Sequence, residues 1–149
     1  MTLLTGTSSA DIDAPIDRCW AVVEDLTAFP GWQKGLERVE VVERDDAGRA
    51  VVCDIVNDAK FTKVRARVSV RYEPPRRLTF TRVASEDVDE LEASWDLEEL
   101  GPARTRATYS LAVDPGPVGR LARPLERALR PIVVGRRAEE LARAVAARG

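Results

Sequence analysis

Lys63-Val-Arg-Ala-Arg-Val-Ser-Val-Arg-Tyr72 decides the fold. Val64, Ala66, Val68, Val70 and Tyr72 take every second place, and Lys63, Arg65, Arg67, Ser69 and Arg71 take the others. A period of two sends successive side chains to opposite faces of a strand. The stretch therefore predicts a strand with one buried and one solvated face, the pattern of an antiparallel sheet.

The same alternation continues outward in both directions. Upstream, Val39 and Val41 alternate with charges, and Val51, Cys53 and Ile55 alternate with Val52, Asp54 and Val56. Downstream, Leu78 and Phe80 open a strand. Leu91, Ala93, Trp95 and Leu97 form one face of the next, and Thr105, Ala107, Tyr109, Leu111 and Val113 one face of the last. Turn signals separate them at Asp45–Gly48, Asn57–Lys60, Pro74-Pro75, Ser85–Asp87 and Gly101-Pro102. Consecutive strands with short turns predict an antiparallel meander.

The two ends of the chain read differently. Residues 7–13 predict a first strand. Pro15 then sits near the start of a helix over about 15–26, since its missing N–H costs nothing there. Ile16, Cys19, Trp20, Val23 and Leu26 make that helix amphipathic. Phe29-Pro30-Gly31-Trp32 breaks it, with a short second helical turn at the break. At the far end a helix is expected over about 118–147, with an apolar stripe from Leu121 to Val145 and interruptions at Pro124 and Pro131. The 149 residues suit a single α+β domain spanning 1–149, with about seven strands.

Composition narrows the chemistry. Histidine is absent, which removes the commonest general base and metal ligand. Ser-His-Asp and Cys-His nucleophile systems are excluded. Two separated cysteines without histidine make no zinc site of the usual kind, and Cys19 and Cys53 read as buried small hydrophobes. No metal or cofactor is called for. Residues 1–10 lack a basic region followed by an apolar stretch, and no run approaches the roughly 20 apolar residues of a membrane span. A cytoplasmic protein is the expectation. The net charge of −2 hides an asymmetry: from Val118 to Gly149 there are eight arginines and three glutamates. Arg120, Arg123, Arg127 and Arg130 follow three-four-three spacing on one helix face. They form a solvated stripe or a docking surface for an anionic membrane. RNA is disfavoured as a partner, because aromatic content is only 5% and no stacking residues accompany the arginines.

Several short motifs resemble one family in their order and spacing. They are Ala14-Pro15 with Trp20, then Asp25 with Phe29-Pro30-Gly31-Trp32, Ser94-Trp95-Asp96-Leu97, Thr105–Tyr109 and Pro115–Gly119 before a basic helix. Together they resemble the helix-grip fold of the START-like (SRPBCC) superfamily, in its polyketide cyclase/dehydrase and lipid-transport branch. The resemblance covers nearly the full length. It implies a curved antiparallel sheet wrapped around a long C-terminal helix, two short helices between strands 1 and 2, and a cavity between sheet and helix.

With that cavity implied, strand parity supplies apolar lining from Ile55, Val68, Val70, Phe80, Trp95 and Tyr109, and the helix supplies Leu125, Leu129, Ile132 and Val133. Phe29 and Trp32 fall near its mouth. Asn57, Tyr72 and Arg82 share the inward parity as polar candidates. A pocket with apolar walls and few polar groups fits a small hydrophobic ligand such as a lipid, an isoprenoid or quinone, or a polycyclic aromatic. The alternative is a fully packed core. Asp54, Glu92, Asp96 and Glu98 all take outward parity, so no inward carboxylate pair is available. Non-catalytic carriage or sensing therefore ranks above a cyclase- or dehydratase-like enzyme. A toxin-like module using the basic helix on RNA or protein ranks third, because fold alone does not decide function.

Overall fold

The computed structural model describes residues 4–58, 63–114 and 136–148. Seven strands form one sheet in the order β1-β7-β6-β5-β4-β3-β2. They are β1 (Leu4–Ile12), β2 (Leu36–Arg44), β3 (Ala50–Asp58), β4 (Lys63–Glu73), β5 (Arg77–Ala84), β6 (Glu90–Gly101) and β7 (Arg104–Asp114). All neighbours are antiparallel. Strands β2 to β7 form the expected meander, and β1 returns to pair with β7. Helix α1 (Ile16–Val23) and a short 3₁₀ helix (Leu26–Gly31) lie between β1 and β2, and helix α2 (Arg137–Arg148) closes the chain. The fold is the expected α+β helix-grip arrangement. The reading of residues 118–135 as helix, with Pro124, Pro131 and Gly135, falls outside the described residues. So do Leu125, Leu129, Ile132, Val133 and the arginines at 120, 123, 127 and 130.

Some boundaries differ from those read in the sequence. β1 starts at Leu4 rather than residue 7, because its ladder with β7 begins at Leu4↔Val113. Helix α1 starts at Ile16. Pro15 stays extended (ψ 154°), and its carbonyl accepts the N–H groups of Arg18 and Cys19. The helix stops at Val23 because Asp25 leaves the helical region (φ −88°, ψ 76°), and the chain tightens into the 3₁₀ turn.

Strand parity is realised in the core. Ala66, Val68, Val70, Leu78, Ala93, Trp95, Leu97, Ala107, Tyr109, Leu111 and Val113 are buried on one face. The opposite face carries cross-strand ion pairs, including Arg67 with Asp54 and Arg106 with Asp11. Exposed pairs of this kind contribute little, being screened by solvent, so burial of the inner face holds the sheet. Ser94 departs from simple parity. It points outward but is 6% exposed, in the sheet centre between Thr79 and Ser110, with its hydroxyl on Asp96. The β2–β3 turn is built by Asp45, whose carboxylate accepts the N–H groups of Ala47 and Arg49, while Gly48 takes φ +81°. These backbone hydrogen bonds, with Arg49 beside it, hold the Asp45 carboxyl below the usual carboxylate range.

Helix α2 packs on β1, β7 and α1 through Ala138, Leu141 and Val145. Its ends are tied down by side chains. Ser8 of β1 accepts the Ala138 N–H at 3.2 Å. At the other end Arg18 donates to the Val145 carbonyl at 3.3 Å, and Arg148 reaches Ala21 and Asp25. These are groups that a helix end cannot satisfy internally.

One buried hydrogen bond joins the β1–α1 corner to the sheet: Thr105 Oγ1 donates to the Ala14 carbonyl at 2.9 Å, with both residues almost fully buried. Replacing Thr105 by Val keeps the shape and strands that carbonyl. We expect Thr105→Val to lose about 1–3 kcal/mol in urea unfolding at unchanged m-value, and Thr105→Ser to recover most of it. Equal stabilities for the two variants would show that this bond contributes nothing.

Candidate functional site

The inner face of the sheet carries a continuous row of aromatic rings. Trp95 and Tyr109 are direct cross-strand partners on β6 and β7, with ring centroids 5.0 Å apart. Phe80 on β5 lies opposite Val70 of β4. Phe29 and Trp32 come from the 3₁₀ segment, where Trp32 N–H and Gln33 N–H both return to the Phe29 carbonyl. That turn sets the two rings 4.8 Å apart. Phe29 then meets Phe80 at 6.2 Å, and Trp32 meets Trp95 at 6.0 Å. The row therefore runs Phe80, Phe29, Trp32, Trp95, Tyr109. These are tilted and edge-to-face contacts, the favourable geometries for aromatic pairs.

At the Tyr109 end the row meets charge. Arg137, in the first turn of α2, is 5% exposed, and its positive charge acts on the Tyr109 phenol. It also donates to the Lys34 carbonyl and lies 3.3 Å from Glu140. Glu140 in turn accepts the Lys34 N–H at 2.7 Å. The peptide of Lys34 is thus held on both sides by one ion pair of α2, two residues beyond Trp32.

Of the residues singled out in the sequence, Phe29, Trp32, Phe80, Trp95 and Tyr109 come together here, with Val70 beside Phe80. Val68 is fully buried on β4, and Ile55 is half-buried on β3 opposite Ala66. The three polar candidates are not brought together. Tyr72 donates its hydroxyl to the Ala50 carbonyl at 2.7 Å, and the Arg49 guanidinium lies 5.1 Å above its ring. Tyr72 faces a separate cleft of about 430 Å³, bordered by Glu24, Asp25, Arg44 and Arg49. Arg82 donates to the carbonyls of Val88 and Ser85, bracing the β5–β6 connection. Asn57 is half-buried near the end of β3, opposite Leu36 and Val64.

Among the described residues, two buried charged ones lie outside the sequence reading. Arg137 stands four residues before Leu141 and eight before Val145, in line with the buried stripe, and that alignment is a signal an apolar-only reading passes over. Asp114, at the end of β7, is 1% exposed. Its Asp-Pro-Gly-Pro context reads as a turn, so nothing local marks it as buried.

Burial pushes both phenols up. Tyr72 reaches about 12, and Tyr109 is raised by desolvation against the opposing pull of Arg137. At neutral pH the Tyr109 phenol thus stays protonated and is no base. The fold favours the neutral phenols, so this contribution is complete below the ordinary phenol pKa of about 10 and is lost as pH rises above it. Because the chain has two tyrosines, near-ultraviolet titration reads both. We expect little tyrosinate at pH about 10 while the protein stays folded; half-ionisation there would contradict the burial of both rings.

The comparisons follow the same lines. A family model described as polyketide cyclase / dehydrase and lipid transport matches residues 12–141. No curated protein matches the sequence. Among solved structures, a Thermus thermophilus protein is similar at TM-score 0.81 and 24% identity, covering 98% of this chain and 99% of that one. The Zhui aromatase/cyclase from Streptomyces is similar at TM-score 0.80 and 16% identity, covering 99% and 96%. A START superfamily protein from Mycobacterium smegmatis is similar at TM-score 0.68 and 19% identity, covering 91% and 97%. At these identities the likeness to each is one of fold. With the family model spanning six of the seven strands, β2 to β7, and the start of α2, this chain belongs to the polyketide cyclase / dehydrase and lipid transport family.

Proposed function

We propose that this protein binds a small, flat, apolar molecule against the inner face of its sheet and carries or senses it without changing it. The observation that supports this most directly is the row of five aromatic rings from Phe80 to Tyr109. A ligand ring stacked on such a surface gains dispersion and quadrupole contacts of about 0.5–1.5 kcal/mol per aromatic neighbour, beyond its area burial. Among the described residues the polar groups at the edge are already engaged: Glu140 with the Lys34 N–H and Arg137, and Arg137 with the Lys34 carbonyl. Among those residues such a site orients a ligand and offers no free base.

A second reading has one observation in its favour. The buried Tyr109–Arg137 pair places a phenol donor and a cation at one end of the row, a combination that stabilises an enolate oxygen in a cyclase-like reaction. In either reading the protein acts in the cytoplasm. No helix among the described residues is long and apolar enough to cross a membrane. The arginines at 120, 123, 127 and 130 fit docking to an anionic membrane surface.

Native mass spectrometry of freshly purified protein, followed by a panel of lipids, quinones and polycyclic aromatics, tests the proposal. We expect a one-to-one complex with a polycyclic aromatic that is recovered chemically unchanged, and about tenfold weaker binding by Trp32→Ala, as expected for losing one or two ring contacts. A ligand recovered as a new product would favour the enzyme, and a panel without any binder would refute the ligand site.

A further inference from the structure

β2 lies at one edge of the sheet, and no described strand pairs with its outer side. An edge strand presents a row of unpaired N–H and C=O groups, a template for another strand. Charged side chains on an edge usually keep such partners away. Those of β2 are placed so that one partner is admitted, the same strand of a second copy.

The register with β3 shows which side each residue takes. Arg38, Val39, Glu40 and Val41 step evenly along Val56, Ile55, Asp54 and Cys53, and the ladder shifts on either side of this run. Cys53 is buried on the inner face, and Asp54 reaches Arg67 on the outer one. Val39 and Val41 therefore take the inner face, half-buried, and Arg38 and Glu40 take the outer face. Arg38 and Glu40 are ion-paired with each other, with side chains 65% and 55% exposed.

Opposite residues of an antiparallel pair share a face, so a symmetric pair of β2 strands must be centred on a residue. Within the run the centre is Val39 or Glu40. Centring on Glu40 sets two carboxylates directly opposite, which is destabilising. Centring on Val39 sets Arg38 against Glu40 of the second copy, twice, and Val39 against itself on the inner face. Opposite charges and apolar side chains so placed stabilise a strand pair. β1, the other edge, carries one charge, Asp11, which Arg104 and Arg106 of β7 already engage. Nothing there selects a register.

We propose that β2 is a self-association edge: two copies of this chain join antiparallel about Val39, and the sheet of one protomer continues into the other.

Analytical ultracentrifugation with charge reversal tests it. The unaltered protein is expected to show a concentration-dependent monomer–dimer equilibrium that weakens with salt. Arg38→Glu and Glu40→Arg each turn both cross-strand pairs into like charges, and each should weaken the dimer about tenfold. Mixing the two single variants should restore it as a heterodimer, since each supplies the charge the other lacks. The double variant should again pair with itself. Val39→Cys reads the register. Directly opposed Cα atoms lie about 4.5–5.5 Å apart, within reach of a disulfide, so mild oxidation should cross-link this variant. Val42→Cys, at a position 45% exposed, should not cross-link. The native Cys19 and Cys53 are buried and stay out of the reaction. A monomer at every concentration, a dimer indifferent to both charge reversals, or cross-linking at position 42 as readily as at 39 would each overturn the proposal.

Discussion

β1 runs antiparallel to β7 along its whole length, from Leu4↔Val113 to Ile12↔Thr105, and this ladder decides where the rest of the chain goes. It carries the first strand from one end of the sequence to the last strand of the meander. At Ile12 the chain turns off the ladder, and Thr105 catches the Ala14 carbonyl immediately beyond it. That fixes the start of α1 over the inner face of the sheet, so the 3₁₀ segment delivers Phe29 and Trp32 onto Phe80 and Trp95. The register matters as much as the pairing. Ser8 points inward and caps Ala138 of α2. A slip by one residue would turn Ser8 outward and send its neighbours' side chains in.

Helix α2 is fixed to that frame by polar contacts at both ends and apolar contacts between them. At its start, Arg137 and Glu140 grip the Lys34 peptide, with side chains only 6% and 14% exposed. A buried ion pair adds little net stability once desolvation is counted, but removing one partner costs about 3–5 kcal/mol. The pair therefore acts as a register pin. It couples the helix to the segment that carries Trp32, and through Tyr109 to the end of the aromatic row.

Much of the fold was legible in residues 63–72 and their neighbours. Period-two alternation identified the buried face of β4 to β7, and the turns followed from Asp, Gly and Pro at the breaks. The aromatic members of the candidate site were legible as inward-facing side chains too, since each has inward parity or lies at the helix break. Its polar members were not. Asn57, Tyr72 and Arg82 share a face, but Tyr72 sits by Ala50 at one end of the sheet while Arg82 braces the β5–β6 connection at the other. Parity reports which face a side chain takes and says nothing of its distance along the strand. Arg137 was hidden because an arginine in a basic helix reads as solvated. Its partner, the Lys34 carbonyl, lies 103 residues away.

The sequence by itself determined the order of the elements and the side of each strand that faces inward, because alternation and turn chemistry are local consequences of backbone geometry. Only the tertiary structure decided which inward side chains meet. The aromatic row and the grip on Lys34 both depend on pairings between distant parts of the chain, and those are set by strand register and by the burial of α2.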